Sequence, residues 1–234
     1  MKILVLESSG LVASVAVVTE EKLIGEYTTN FKKTHSQTLL PMMDTLLKMI
    51  GIPVQEMDAI AVSGGPGSFT GLRIGSATAK GLGLALSIPI ISVPTIAYNL
   101  CGTDAVVCPL MDARRNQTYT GLYTFDGDQM KCISGQKAVM LGEIIDEINQ
   151  LGRKVIFLGD GVPVFKPYIE EHIQVPHSYA PIHLSQQRAG ALGALALQYY
   201  HEGKYESAAE HQPDYLRLSQ AERELAAKKG QEKA

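Results

Sequence analysis

The sequence predicts an α/β protein of two related lobes, each a mixed sheet opened by a β-meander and covered by helices. Three observations carry this. The chain opens with three short apolar strand patterns joined by tight turns. Strand and helix patterns then alternate. Near the midpoint a second meander begins, followed again by α/β units.

The first lobe starts with strands over Lys2 to Leu6, Val12 to Val18 and Lys22 to Thr28. The links, Glu7-Ser8-Ser9-Gly10 and Thr19-Glu20-Glu21, are turn-like. From Ser36 to Ile50, Leu39, Leu40, Met43, Leu46, Leu47 and Ile50 recur at helical spacing. Thr34 or Ser36 can cap this helix, and Gly51 with Pro53 ends it. Pro41 either occupies the first turn of a later-starting helix or kinks a longer one. Ala59 to Val62 reads as a short strand, followed by the turn Ser63-Gly64-Gly65-Pro66-Gly67-Ser68 and a helix from about Thr70 to Ser87. Pro89 to Val93 is another strand and Thr95 to Leu100 a short helix. The second lobe opens at Val106 to Met111, turns at Asp112-Ala113-Arg114-Arg115-Asn116 and returns over Gln117 to Phe125. Asp126-Gly127-Asp128 signals a hairpin into Gln129 to Ser134. Leu141 to Gln150 is helical, Lys154 to Leu158 a strand, and Gly159-Asp160-Gly161 a turn. A last helix spans Ser185 to Tyr200, with Ser185 as cap. The expected boundaries are residues 1–103 for the first lobe and 104–218 for the second. Residues 219–234 form a charged tail, either an exposed helix or disordered.

Composition narrows the function. The chain has 234 residues, 45% of them hydrophobic and 19% charged, enough to bury a core. A net charge of −3 lacks the basic stripe of a protein that holds RNA alone. Lys32-Lys33, Arg114-Arg115 and Lys228-Lys229 are short basic spots, so a nucleic-acid role would borrow charge from a partner. Cys101, Cys108 and Cys132 are odd in number and form no CxxC, which suggests free thiols in a reducing compartment. Met1-Lys2 leads straight into a strand with no cleavage pattern. Pro89 and Pro94 break the uncharged stretch from Gly81 to Thr103, which therefore reads as helix and strand rather than a bilayer span. A cytoplasmic protein off the membrane is expected.

The glycine-rich turn before a helix N-terminus can serve as an anion site through free N–H groups and the helix dipole. It is not a P-loop, since no Lys-Ser/Thr follows, and a tight strand-to-helix link explains it equally well. Candidate anion or nucleotide contacts are Ser63, Gly64, Gly65 and Gly67, with Glu7, Asp112 and Arg114 at strand ends. Asp160 is a further strand-end acid. Along the following helix, Gly71, Gly75, Ala79 and Gly83 lie four apart and form a smooth ridge. Each interior glycine costs about 0.8–1 kcal/mol against alanine, so a close contact must offset them. That contact is either an internal helix or a helix of another subunit. The six histidines form no HxxxH or HExxH pair, so no metal site is expected. No G-x-S-x-G nucleophile signature occurs.

Several segments resemble the TsaB (YeaZ) family. They are Ile3 to Val17 with Glu7-Ser8-Ser9, His35-Ser36-Gln37-Thr38-Leu39-Leu40-Pro41, Gly64 through Gly75, Met111-Asp112-Ala113-Arg114-Arg115, and Gln212-Pro213-Asp214-Tyr215-Leu216-Arg217. The resemblance implies an actin-like, sugar-kinase-like fold. It also implies a role in making threonylcarbamoyladenosine beside the anticodon of tRNAs reading codons that start with A. It implies pairing with a catalytic TsaD-like paralogue, joined by a TsaE-like ATPase. Without that partner an exposed apolar helix face would seek cover, so a homodimer is expected when the chain is alone. ATP and a metal ion are then expected in the partners, with no cofactor here and tRNA reached through the complex. The family's interface helix matches Gly71 to Leu86, which makes Gly71, Leu72, Arg73, Gly75, Ala79, Leu82 and Gly83 the expected subunit contacts. The catalytic relative holds its metal with a histidine pair, and the corresponding stretch Ser92 to Asn99 has none. No catalytic residue is therefore assigned. The alternative is an ATP-dependent small-molecule kinase or ATPase built on the same fold.

Overall fold

The computed structural model of the chain describes residues 1–31, 33–94 and 97–213. The tail at 219–234 and the motif from Asp214 onward lie outside the described residues.

The first sheet contains β1 (Lys2–Glu7), β2 (Ala13–Thr19), β3 (Leu23–Thr29), β4 (Ala59–Gly65) and β5 (Ile90–Pro94), in the order β3-β2-β1-β4-β5. The meander is antiparallel, and β4 and β5 add in parallel. Between them run α1 (His35–Ile50) and α2 (Phe69–Leu86). The longer reading of α1 holds, with Pro41 inside the helix. Every β1 side chain from Ile3 on is buried because both faces are covered. Leu4 and Leu6 face Leu39, Met43 and Leu46 of α1. Ile3 and Val5 face the other way, as strand alternation requires.

The second sheet contains β6 (Val106–Pro109), β7 (Met111–Asp112), β8 (Gln117–Asp126), β9 (Gln129–Met140), β10 (Val155–Leu158) and β11 (His177–Tyr179). β6 and β7 lie successively along β8. The order β9-β8-β6-β10-β11 repeats that of the first sheet, with an antiparallel meander and two parallel additions. Two lobes of one topology constitute the expected actin-like architecture. Helices α3 (Leu141–Leu151) and α4 (Val162–His172) cover the second sheet through Ile144, Ile148, Phe165 and Ile169.

The last helix, α5 (Ala189–His201), returns to the first sheet and packs Leu192, Leu195 and Ala196 on Ile3, Val5 and Val18. It starts later than expected, and Ser185 does not cap it. Its first N–H groups are satisfied from far along the chain: Ser14 Oγ accepts from Ala189 N (3.0 Å) and Glu26 Oε1 from Gly190 N (2.9 Å). Arg188 also pairs with Glu26. Helix α4 and strand β11 fall where no element was expected, because Pro163 and Pro167 disguise the helix. Pro163 occupies the tolerated first turn, and Pro167 is accommodated inside. The short helix before Thr103 is a 3-10 turn over Ala97–Leu100.

Candidate functional site

The end of β1 and the glycine-rich turn are built as one unit. Ser68 N–H donates to Ser9 O (2.6 Å), and Ser8 Oγ donates to Gly71 O (2.9 Å). Backbone touches backbone here. A Cβ on Gly67 would lie 2.4 Å from Ser9 O, and one on Gly71 2.0 Å from Ser8 O. One on Gly75 would meet Ser8 Oγ at 2.5 Å and Val62 at 3.3 Å. The glycines of the motif thus permit a close approach of α2 to its own sheet. Ser68 caps the helix, its Oγ accepting from Gly71 N at 3.3 Å.

Glu7 is buried, and its Oε1 accepts from both Ser9 N–H and Ser9 Oγ–H, each at 2.6 Å. Burial holds its carboxyl above the ordinary value, and the Ser9 hydrogen bonds offset part of this. Ser63, Gly64 and Gly65 are buried beside it. None of these four residues is among those that line the cleft between the lobes.

An open cleft of about 300 Å³ lies between the lobes. It brings Gly67, Asp112 and Arg114 of the expected set together, and adds Ser68, Phe69 and Asp160. Asp112 Oδ1 accepts from Arg114 N–H (2.8 Å), and its Oδ2 faces the Arg114 guanidinium at 3.3 Å. Burial, with the Asp112 charge beside it, holds the Asp160 carboxyl above its ordinary range. Asp160 Oδ1 is buried without a hydrogen-bond partner among the described residues. The cleft therefore carries two carboxylates against one guanidinium, which disfavours a bare polyphosphate. No group of three His, Cys, Asp or Glu side chains that could hold a metal ion occurs among the described residues.

The turn over the cleft has an unusual backbone. Arg114, Arg115 and Asn116 all have positive φ, at 67°, 55° and 58°. For the two arginines this left-handed conformation costs roughly 1–2 kcal/mol each.

Helix α2 presents two small-residue ridges on opposite faces. The expected one, Gly71, Gly75, Ala79 and Gly83 with Leu72, is buried within the chain, and a Cβ on Gly83 would meet Ala208 at 2.8 Å. Half-buried Leu82 joins the same core. The ridge therefore serves this chain's own packing, which corrects the expectation that it faces another subunit. The outer face carries Arg73, Ala77, Gly81, Leu84 and Ala85, all exposed. Of the expected contacts, only Arg73 belongs to it. Among the described residues a Cβ on Gly81 would meet nothing within 4 Å, so no contact among them accounts for this interior glycine. The signal was present in the sequence, since residues 73, 77, 81 and 85 have the same four-residue spacing as the inner ridge. Arg73 lies over the Phe69 ring, 4.1 Å from its centroid.

Comparison with known proteins matches this architecture. The family described as TsaD, tRNA N6-adenosine threonylcarbamoyltransferase, matches residues 22–225. The chain is 34% identical over 228 residues to the Bacillus subtilis protein named tRNA threonylcarbamoyladenosine biosynthesis protein TsaB, covering 95% of this chain and 96% of the relative. It is 29% identical to the Escherichia coli K12 protein of the same name, covering 97% and 100%. The solved structure of YeaZ from Pseudomonas aeruginosa superposes with a TM-score of 0.76 at 26% identity, covering 92% of this chain and 99% of that one. With its repeated lobes, fused glycine turn and near full-length match, the chain belongs to the TsaB (YeaZ) family.

Proposed function

We propose that this chain is a non-catalytic partner subunit in the threonylcarbamoylation of tRNA. It serves the adenosine beside the anticodon in tRNAs that read codons starting with A. Its partners are a TsaD-like transferase, which carries the chemistry and the metal, and a TsaE-like ATPase. It has no cofactor of its own, forms a homodimer when alone and works in the cytoplasm. Among the described residues no helix is long and apolar enough to cross a membrane.

The observation that carries this reading is the outer face of α2. Exposed Leu84, together with Ala77, Gly81 and Ala85, makes a flat apolar strip on which another helix can approach closely. The kinase reading rests on the fold class and the glycine turn, but Glu7 lies outside the cleft lining with its carboxylate held by Ser9, and the Asp112 and Asp160 carboxylates that line the cleft oppose phosphate.

Reconstitution separates the two. Modified nucleoside should form from the transferase, the ATPase, ATP, a threonylcarbamoyl adenylate as group donor and tRNA only when this chain is present. Its Asp160→Asn variant should support the full yield. Loss of the product with Asp160→Asn, while the subunits still assemble, would move the chemistry into this chain's cleft.

A further inference from the structure

We propose that the turn between β7 and β8 is an RNA contact, with Arg114 and Arg115 seated on consecutive phosphates of a strand that passes over the mouth of the cleft. This rests on the assignment of the chain to a tRNA-modifying complex.

The backbone of the turn is firmly held. Asp112 accepts the Arg114 N–H, Arg114 O accepts from Gln117 N–H at 3.1 Å, and Asn116 O accepts from Leu141 N–H at 3.1 Å. Its conformation is one that glycine adopts freely, asparagine tolerates and arginine resists. A turn of this shape is made most easily from glycine, yet two arginines stand there. Packing does not explain them. The Arg114 side chain is 85% exposed and pairs only loosely with Asp112. Arg115 is exposed and has no partner among the described residues. Side chains kept at a backbone cost and unused by the fold point to a ligand outside it.

The ligand is an extended polyanion. Guanidinium forks match phosphate oxygens bidentately. Arg73 brings a third guanidinium to the same mouth, since it stacks on Phe69, and Phe69 lines the cleft opposite Arg114. A compact anion would have to descend onto Asp112 and Asp160, whose charges oppose it. A strand crossing the rim can be met by the exposed Arg114 and Arg115 without entering the cleft. The chain's net charge of −3 supplies no general attraction for RNA, so the contact is local and adds to whatever the partner provides. Arg73 also stands at one end of the outer face of α2, so the rim adjoins the partner surface and RNA can span both subunits.

The test uses the Arg114→Gly/Arg115→Gly double variant, which suits the backbone while removing both guanidinium groups. Binding of an unmodified tRNA transcript to the complex with the TsaD-like transferase is followed by anisotropy across a salt series. The expected result is intact subunit assembly and a thermal midpoint that is unchanged or raised. The tRNA affinity should fall roughly tenfold, and the slope of log K against log salt should shrink by about 1.4–1.8, the value for two phosphates. Arg114→Lys/Arg115→Lys should retain the slope. An unchanged affinity and slope would overturn the proposal. So would a lowered midpoint, which would return the arginines to the fold. Weakened subunit assembly with unchanged tRNA binding would overturn it too, by assigning them to an acidic protein segment. If the wild-type subunits fail to assemble at all, the assignment to the complex fails first, and the RNA contact with it.

Discussion

At Glu7 a carboxylate is buried at a strand end with two donors from Ser9 on one oxygen, and burial dominates its protonation. Its pKa in the folded chain lies above the ordinary value of 4.5. The fold thus favours the protonated form. That contribution to stability is fully present below the unfolded value and is lost as pH rises through the folded value. Glu7→Gln keeps an oxygen acceptor for Ser9 and removes the charge. Its thermal midpoint should therefore gain on the wild type as pH rises from about 4.5 to neutrality. A midpoint difference that does not vary with pH would contradict this account of Glu7. In the sequence, Glu7 reads as an available strand-end acid, because nothing in Glu7-Ser8-Ser9 shows that Ser9 folds back on the carboxylate. Asp112 and Arg114 were more legible, since a strand-ending acid followed by basic turn residues belongs naturally to an exposed loop. The left-handed backbone beneath the arginines has no sequence signal at all.

Among the elements, α2 shows both what periodicity reveals and what it hides. Four-residue spacing correctly marks a ridge where backbones approach closely. It cannot say which of two opposite ridges turns inward, because the deciding contact comes from Ser8, 63 residues before Gly71. The two faces predict opposite responses to one added methyl. Gly75→Ala should destabilise the chain by about 1–3 kcal/mol, because its Cβ would press on Ser8 Oγ and Val62. Gly81→Ala should stabilise it by about 0.8–1 kcal/mol, since it gains helix propensity in open space. Denaturant unfolding measures both, and equal effects at the two sites would contradict the assignment of faces. The same limit explains α5. Its apolar face is visible in the sequence, but its first turn is held by Ser14 and Glu26, more than 160 residues away. A local cap at Ser185 was therefore the wrong place to look.

For the molecule as a whole, the repeated topology was legible because each lobe opens with apolar runs and tight turns that fit only a meander. The way the lobes join was not. The return of α5 to the first sheet and the shared cleft depend on contacts across the whole chain. The inner ridge of α2 serves folding, and the proposed surfaces are an outer α2 face for a partner and an arginine rim for RNA. The central claim is that the outer face of α2 is the partner surface, and light scattering of this chain mixed with a TsaD-like subunit tests it most directly. The wild-type chain should run as a homodimer alone and exchange into a heterodimer when mixed. Ala77→Arg/Gly81→Arg should stay folded, run as a monomer and fail to pair at micromolar concentration. Pairing by that variant as tight as the wild type would contradict the account and place the interface elsewhere.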